Sequence, residues 1–311
     1  MAKENFKIDE YLFKKFIGID NFGYENFLTY KDNNIFFGKA VERNKVENTE
    51  ELDILKKEIL ALEFLSHKNI IKLEKILKSR KKLYLITEYY NGGTIRENIE
   101  KYKIKYGKPF SEKITQHIIK QLFDVVNYLQ DKKYLRYDLT IDNIYLNYYS
   151  EEAKNNLDIF HSDIKITNFR TVKYDNKIDI RAGFREGDPK KVKISWQIDL
   201  FFICYYLFTC DLSFNYNNED DLIKNEIIIK IPVFSLSSEA ISLLIRLWIK
   251  YINKKMNTVE LLDYPFVQKY YNDFTDFDKK IGSYFIRDGN LTFNIKDTDQ
   301  NKFIISLLNL G

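Results

Sequence analysis

The stretch Tyr134–Leu146 reads Y-L-R-Y-D-L-T-I-D-N-I-Y-L, and its reading decides the fold. Asp138 and Asn143 stand five residues apart on a predicted loop, between the apolar runs Val125–Leu129 and Ile144–Leu146. An Asp and an Asn so placed face one point. The carboxylate accepts a proton or orients a hydroxyl, and the Asn carbonyl holds a divalent cation beside it.

Composition bounds what surrounds this loop. The chain has 311 residues, enough for a two-lobed domain with ample core. Its 49 Lys and Arg against 45 acidic residues give a net charge of +4, spread along the chain rather than gathered. That pattern reads as a solvated surface and not as a nucleic-acid footprint. Cys204 and Cys210 lie in or near one apolar segment, which predicts buried free thiols in a reducing compartment. Met1–Glu10 is charged and lacks an apolar core, so no secretory signal is read, and Leu200–Phe208 is too short to span a bilayer. The expectation is an intracellular protein, cytoplasmic or nuclear, with a protein partner and neither nucleic acid nor membrane.

Outward from the loop, residues 11–43 alternate and carry β-branched and aromatic side chains, predicting three strands with a turn at Asp32-Asn33-Asn34. Thr49–Ser66 has Leu52, Leu55, Ile59, Leu62 and Leu65 at helical spacing, and Ser111–Leu129 has the same period. Leu83–Gly93, L-Y-L-I-T-E-Y-Y-N-G-G, reads as a strand running into a turn and then a helix.

The order of these parts resembles the eukaryotic protein kinases over roughly residues 11–267. The opening loop is similar to H-R-D-L-K-P-E-N-I-L, with Arg136 for the His, Tyr137 for the Arg and Thr140 for the Lys. Gly18-Ile-Asp20-Asn-Phe22-Gly23 resembles the glycine-rich loop, whose bare backbone N–H groups approach phosphates; Asp20 adds a negative charge there. H-K-N-I-I-K-L resembles H-P-N-I-V-x-L and makes Glu58 the regulatory-helix Glu. Lys39, nineteen residues earlier, is then the candidate phosphate-binding Lys, which puts Phe37 at the Ala of the adenine roof. The other register puts Ala40 at that Ala and Glu42 at the Lys. Thr87 corresponds to the gatekeeper and Glu88-Tyr89-Tyr90 to the hinge. Asn168-Phe169-Arg170 stands where D-F-G would be, and Trp196–Phe208 resembles the central helix, with Asp199 accepting from the catalytic-loop backbone. A polar insertion, Tyr148–His161, precedes it. Glu186-Gly187-Asp188-Pro189 is the nearest remnant of A-P-E, and Met256 stands at the Arg that would pair with it.

The resemblance implies an α+β, bilobal protein-kinase-like fold. The predicted parts are a β-rich N-lobe over 1–88, a mainly helical C-lobe over 89–270, and an extension over 271–311. In that extension Tyr284–Ile295 alternates around Asp288-Gly289 as a hairpin and Lys302–Leu310 reads as a short helix. The implied site is Asp138 as residual base with Asn143; Gly18, Gly23, Lys39, Glu58, Glu88 and Tyr90 around ATP; and Asn143 with Asn168 at the metal. Phe37, Glu25 and Tyr145 fall at the walls of the adenine space and are expected to crowd it. The reading that follows is a pseudokinase needing no cofactor and acting as a regulator or scaffold. The alternative is a divergent Ser/Thr kinase using ATP and Mg²⁺; a small-molecule phosphotransferase fits the hinge and central helix less well.

Overall fold

The computed structural model describes residues 5–20, 23–46, 49–135, 139–169, 173–174, 195–210, 228–232, 235–253, 265–268, 286–287 and 290–294. The alternating N-terminal segment forms β2 (Tyr11–Ile19), β3 (Glu25–Lys31) and β4 (Asn34–Glu42). Asp32 and Asn33 both take left-handed φ, 47° and 65°, which makes the tight turn between β3 and β4 that suits the twist of a hairpin. A strand that the sequence reading missed, β1 (Phe6–Ile8), pairs antiparallel with β2 and stacks Phe6 on Phe13 at 4.6 Å. Adding β5 (Leu73–Lys78) and β6 (Lys82–Glu88) gives a six-stranded sheet of order β1-β2-β3-β4-β6-β5.

Alternation along these strands sends side chains to two faces. One face carries the cluster Phe13, Phe27, Ala40, Tyr84 and Ile86. The other carries Tyr24, Val41 and Leu85, which pack against Leu55 of the long helix α2 (Thr49–Phe64); a short α1 (Arg43–Val46) precedes it.

The second lobe is built on α3 (Ile95–Tyr106) and α4 (Glu112–Asp131), with α6 (Ser195–Thr209) and α7 (Ser238–Asn253) behind them. Each of the first two has a side-chain cap where its sequence supplies one: Thr94 with Glu97 forms a capping box on α3, and the Ser111 hydroxyl accepts from Ile114 N–H on α4. Ile118, Ile119, Leu122, Phe123 and Val125 of α4 are fully buried. Phe201 of α6 meets Trp248 of α7 at 5.1 Å, so the apolar run Leu200–Phe208 lies in the core of this lobe. No helix among the described residues is long and apolar enough to cross a membrane.

The catalytic-loop stretch opens with β7 (Tyr134–Leu135), which pairs antiparallel with β10 (Lys173–Tyr174); a 3-10 turn, Ile141–Asn143, then leads into the hairpin β8 (Ile144–Tyr148) and β9 (Ser162–Ile166). The insertion between those strands is not a loose polar loop. It forms α5 (Glu151–Asn156) and a 3-10 turn, Ile159–His161, and buries Ala153 and Ile159. Tyr106 Oη donates to Asn156 O at 2.7 Å and Lys105 Nζ to Asn155 O at 2.9 Å, docking it on α3. At the far end, β13 (Asn290–Asn294) pairs with β12 (Ile286–Arg287), so the predicted hairpin forms. It also pairs with β11 (Ile228–Pro232), which ties the segment set apart as an extension to the large lobe. The predicted helix Lys302–Leu310, Glu186–Pro189 and Met256 lie outside the described residues.

The lobes meet where the H-K-N-I motif predicts a fixed turn. Asn69 Nδ2 donates to Gln121 Oε1 of α4 at 2.8 Å and to Ile164 O at 2.9 Å, while Ile166 N–H donates to Asn69 O at 2.8 Å. One buried amide thus joins the turn after α2, helix α4 and strand β9.

Candidate functional site

The candidate site lies between the sheet and the β8–β9 hairpin. Lys39 of β4 donates from Nζ to Glu58 Oε1 of α2 at 2.6 Å, with the carboxylate side chain 3% exposed and the Lys 23%. This fixes the register. Ala40 faces the opposite side of the sheet with Tyr84, and Glu42 follows it there, so neither competes for the cleft. The same alternation corrects one expectation. Glu25 pairs with Ala40 in register and bonds Lys82 at 2.7 Å, so it stands on the far face and is not a wall of the adenine space. The pairing of β3 with β4 is unbroken from Glu25 to Lys31, so Glu25 shares the face of Phe27 and Ala40. Tyr24 takes the cleft side, buried, with its ring 5.9 Å from Lys39 Nζ.

The glycine-rich loop is turned inward on itself. Gly23 N–H donates to Asp20 O and Tyr24 N–H to Asp20 Oδ1, both at 2.9 Å. Backbone donors that a phosphate would need at Gly23 and Tyr24 are therefore taken by Asp20. Gly18 and Gly23 flank this turn, and residues 21 and 22 lie outside the described set.

Phe37 shares the cleft face with Lys39. Its ring meets Tyr90 at 4.4 Å and Tyr89 at 5.1 Å, and Tyr90 meets Tyr145 of β8 at 4.5 Å. Tyr90 therefore stands between Phe37 above and Tyr145 below. The sequence reading has Tyr90 as a hinge contact to a nucleotide and the other two rings as the obstruction. The structure puts the Tyr90 ring itself in the slot. A flat guest sandwiched between two rings needs them about 7 Å apart, twice a van der Waals contact, so no base lies between Tyr90 and either neighbour. Burial raises the Tyr90 phenol well above its usual value, with the nearby Tyr145 and Glu88 adding to it, and burial raises Tyr145 likewise. Both rings are neutral, desolvated packing groups.

The hinge that carries Tyr90 is held by its glycines. Gly92 N–H donates to Leu146 O and Leu146 N–H to Gly93 O, both at 2.9 Å. A Cβ on Gly92 would sit 2.5 Å from Leu146 O, so only glycine allows this approach. Glu88 does not face into the slot alone: its carboxylate accepts from Lys165 Nζ of β9 at 2.9 and 3.0 Å and from Lys72 N–H at 2.9 Å.

At the metal position, Asn143 ends the 3-10 turn, its O accepting from Thr167 N–H at 3.0 Å, and Thr140 in the Lys place is exposed. Asn168 has φ 62°, a left-handed conformation Asn tolerates, and its Oδ1 is buried with no hydrogen-bond partner among the described residues. That orphaned oxygen is a weak ligand for Mg²⁺, which prefers charged oxygen. Among the described residues no group of three His, Cys, Asp or Glu is placed to hold a metal. Asp138 with Arg136 and Tyr137, and Arg170, lie outside the described residues. Asp199 is buried in the first turns of α6. Cys204 and Cys210 are free thiols, Cys204 buried, and desolvation pushes both upward, so neither is a reactive thiolate.

One ion pair had no counterpart in the sequence reading. Arg96 of α3 bonds Asp142, one residue before Asn143, through Nε and Nη2 at 2.6 and 2.8 Å, and its guanidinium lies 5.5 Å from the Tyr206 ring. Nothing local marks it, since the partners are separated by forty-six residues.

A curled antiparallel sheet joined through a short hinge to a helical lobe, with a Lys–Glu pair in the cleft, defines a protein-kinase fold. The family profile for the protein kinase domain matches residues 11–177, and the chain belongs to that family. Over 342 aligned positions it is 26% identical to the probable serine/threonine-protein kinase nek1 of Dictyostelium discoideum, covering 98% of this chain and 69% of that protein. It is 38% identical over 106 residues to calcium-dependent protein kinase 5 of Plasmodium falciparum, which covers 34% of this chain and 17% of the relative. A match to CBL-interacting protein kinase 1 of Oryza sativa subsp. japonica is 33% identical over 129 residues, 41% of this chain and 27% of the relative. The chain thus spans about a quarter or less of the last two. An active member of this family uses ATP and Mg²⁺ and, by these relatives, is a Ser/Thr kinase.

Proposed function

We propose that this protein is a pseudokinase: it keeps the kinase fold and acts by binding another protein, as an allosteric regulator or a scaffold, inside the cell. The observation that carries this reading is the Tyr90 ring seated between Phe37 and Tyr145, where the family resemblance places adenine. Three departures support it. Asn168 stands for the metal carboxylate, Thr140 for the catalytic-loop Lys, and Asp20 takes the loop N–H groups at Gly23 and Tyr24.

A divergent Ser/Thr kinase is the second reading, favoured by the assembled Lys39–Glu58 pair and by Asn143 at its place in the chain. In that case transfer of the ATP γ-phosphate to a protein hydroxyl falls to Asp138 as base. Thermal unfolding with ATP, with and without Mg²⁺, separates the two, because a ligand of the folded state raises Tm. A pseudokinase shows no shift, or one that Mg²⁺ leaves unchanged. A strong Mg²⁺-dependent shift together with phosphorylation of a generic protein, abolished by Asp138→Asn, would establish the active kinase instead.

A further inference from the structure

Tyr145 and Lys165 are register partners across the β8–β9 hairpin, so their side chains leave the same face of it. Both reach the hinge. Tyr145 packs on the Tyr90 ring at 4.5 Å, and Lys165 bonds both carboxylate oxygens of Glu88 at 2.9 and 3.0 Å. Glu88 and Tyr90 are two residues apart, so one cross-strand pair on the large lobe grips two alternate residues of the segment that joins the lobes.

The two grips differ in chemistry. The Lys165 side chain is 11% exposed and Glu88 29%, so the pair is shielded from salt and strengthened by low dielectric. The same carboxylate accepts Lys72 N–H, and Glu88 N–H donates to Lys72 O at 3.0 Å, which carries the grip into the strand that follows α2. The tyrosine grip is a ring contact with a side-chain hydrogen bond between the two phenols, and it extends through Tyr90 to Phe37 on β4. Between them run the hydrogen bonds of Gly92 and Gly93 to Leu146.

We propose that Tyr145 and Lys165 form a two-point clasp that fixes the hinge and holds the lobes in one arrangement without any bound ligand. The clasp deepens the pseudokinase reading and rests on the same ring geometry. It gives that reading a mechanical content: the surface offered to a partner has one shape, set by the chain's own side chains. Opening the hinge requires both grips to release.

Amide hydrogen exchange of the nucleotide-free full chain tests this directly. The reporting amides are Glu88, bonded to Lys72 O, and Gly92 and Leu146, bonded between the hinge segment and β8, with Leu122 in the core of α4 as reference. Lys165→Gln and Tyr145→Leu should each speed exchange at all three reporters by about tenfold, the worth of one charge-assisted or well-packed contact, and leave Leu122 unchanged. The double variant should give about the product of the two, and Lys165→Arg should keep wild-type protection. Acceleration confined to the reporter nearest each substitution, no acceleration, or equal acceleration at Leu122 would each overturn the clasp. Because no nucleotide is present, the result is independent of whether wild type binds ATP, and a Mg²⁺-dependent ATP shift with phosphotransfer would sink the pseudokinase reading while leaving these exchange rates as they are.

Discussion

At the scale of single residues, Lys39 and Glu58 are the test of register. Glu58 is buried and its second oxygen, Oε2, has no partner among the described residues, so removing Lys39 strands a carboxylate. Lys39→Met should cost about 1–3 kcal/mol, below the 3–5 typical of a fully buried pair because the Lys is partly exposed. Lys39→Glu combined with Glu58→Lys should recover stability that each single reversal loses; additive losses in that cycle, read from denaturant midpoints, would mean the two do not interact. The slot is tested at Phe37 and Tyr90. Phe37 is only half-buried, so Phe37→Ala should cost about 1–3 kcal/mol rather than the 3–5 of a core Phe. Tyr90→Ala, which removes the ring between roof and floor, should be the substitution that admits adenosine, seen as a Tm increase absent in wild type. If Phe37→Ala admits adenosine and Tyr90→Ala does not, Tyr90 is not the blocking ring.

Among the elements, the insertion behaves as a built clamp. Tyr148 opens it with a buried ring; its Oη donates to Asn98 Oδ1 at 2.8 Å, and its backbone exchanges hydrogen bonds with the Asn91 side chain at 2.8 and 3.1 Å. Asn98 Nδ2 in turn donates to Gly92 O at 2.8 Å, so the clamp is linked to the hinge glycines. Tyr148→Phe leaves the buried Asn98 oxygen without that donor and should cost about 1–3 kcal/mol. A loss near zero, measured by urea unfolding, would show that Asn98 finds another donor. Polar composition hid this element. Beyond Tyr148, only Ala153 and Ile159 are apolar and buried, and its remaining hold is hydrogen bonding to α3, which has no sequence signature.

For the whole molecule, the departures from the kinase pattern are coupled rather than single. Asn168→Asp restores the carboxylate that a hard cation prefers, yet Tyr90 still fills the slot and Thr140 still replaces a Lys. That variant should therefore gain no Mg²⁺-dependent stabilisation by ATP and no phosphotransfer. A gain of either would place the whole deficit at one residue and favour the divergent kinase.

The sequence by itself determined the lobes and the order of parts. Alternation in 11–43, the helical periods of 49–66 and 111–129, and the N-G-G turn are local patterns, and local patterns survive without the rest of the chain. It also made Lys39 and Glu58 the candidate pair, because the motif after α2 fixes a count, but the register on β4 stayed open until the two side chains met. What it left open turned on geometry that no count contains. The pairing of β3 with β4 puts Glu25 on the far face of the sheet. The choice of Tyr90 as the ring in the slot depends on how closely Gly92 lets the hinge approach β8. The grip of Lys165 on Glu88 joins residues 77 positions apart, brought together only when the hairpin closes on the hinge. Tertiary structure decided these because each depends on the separation of two elements, and a sequence carries spacing along the chain but not distance across it.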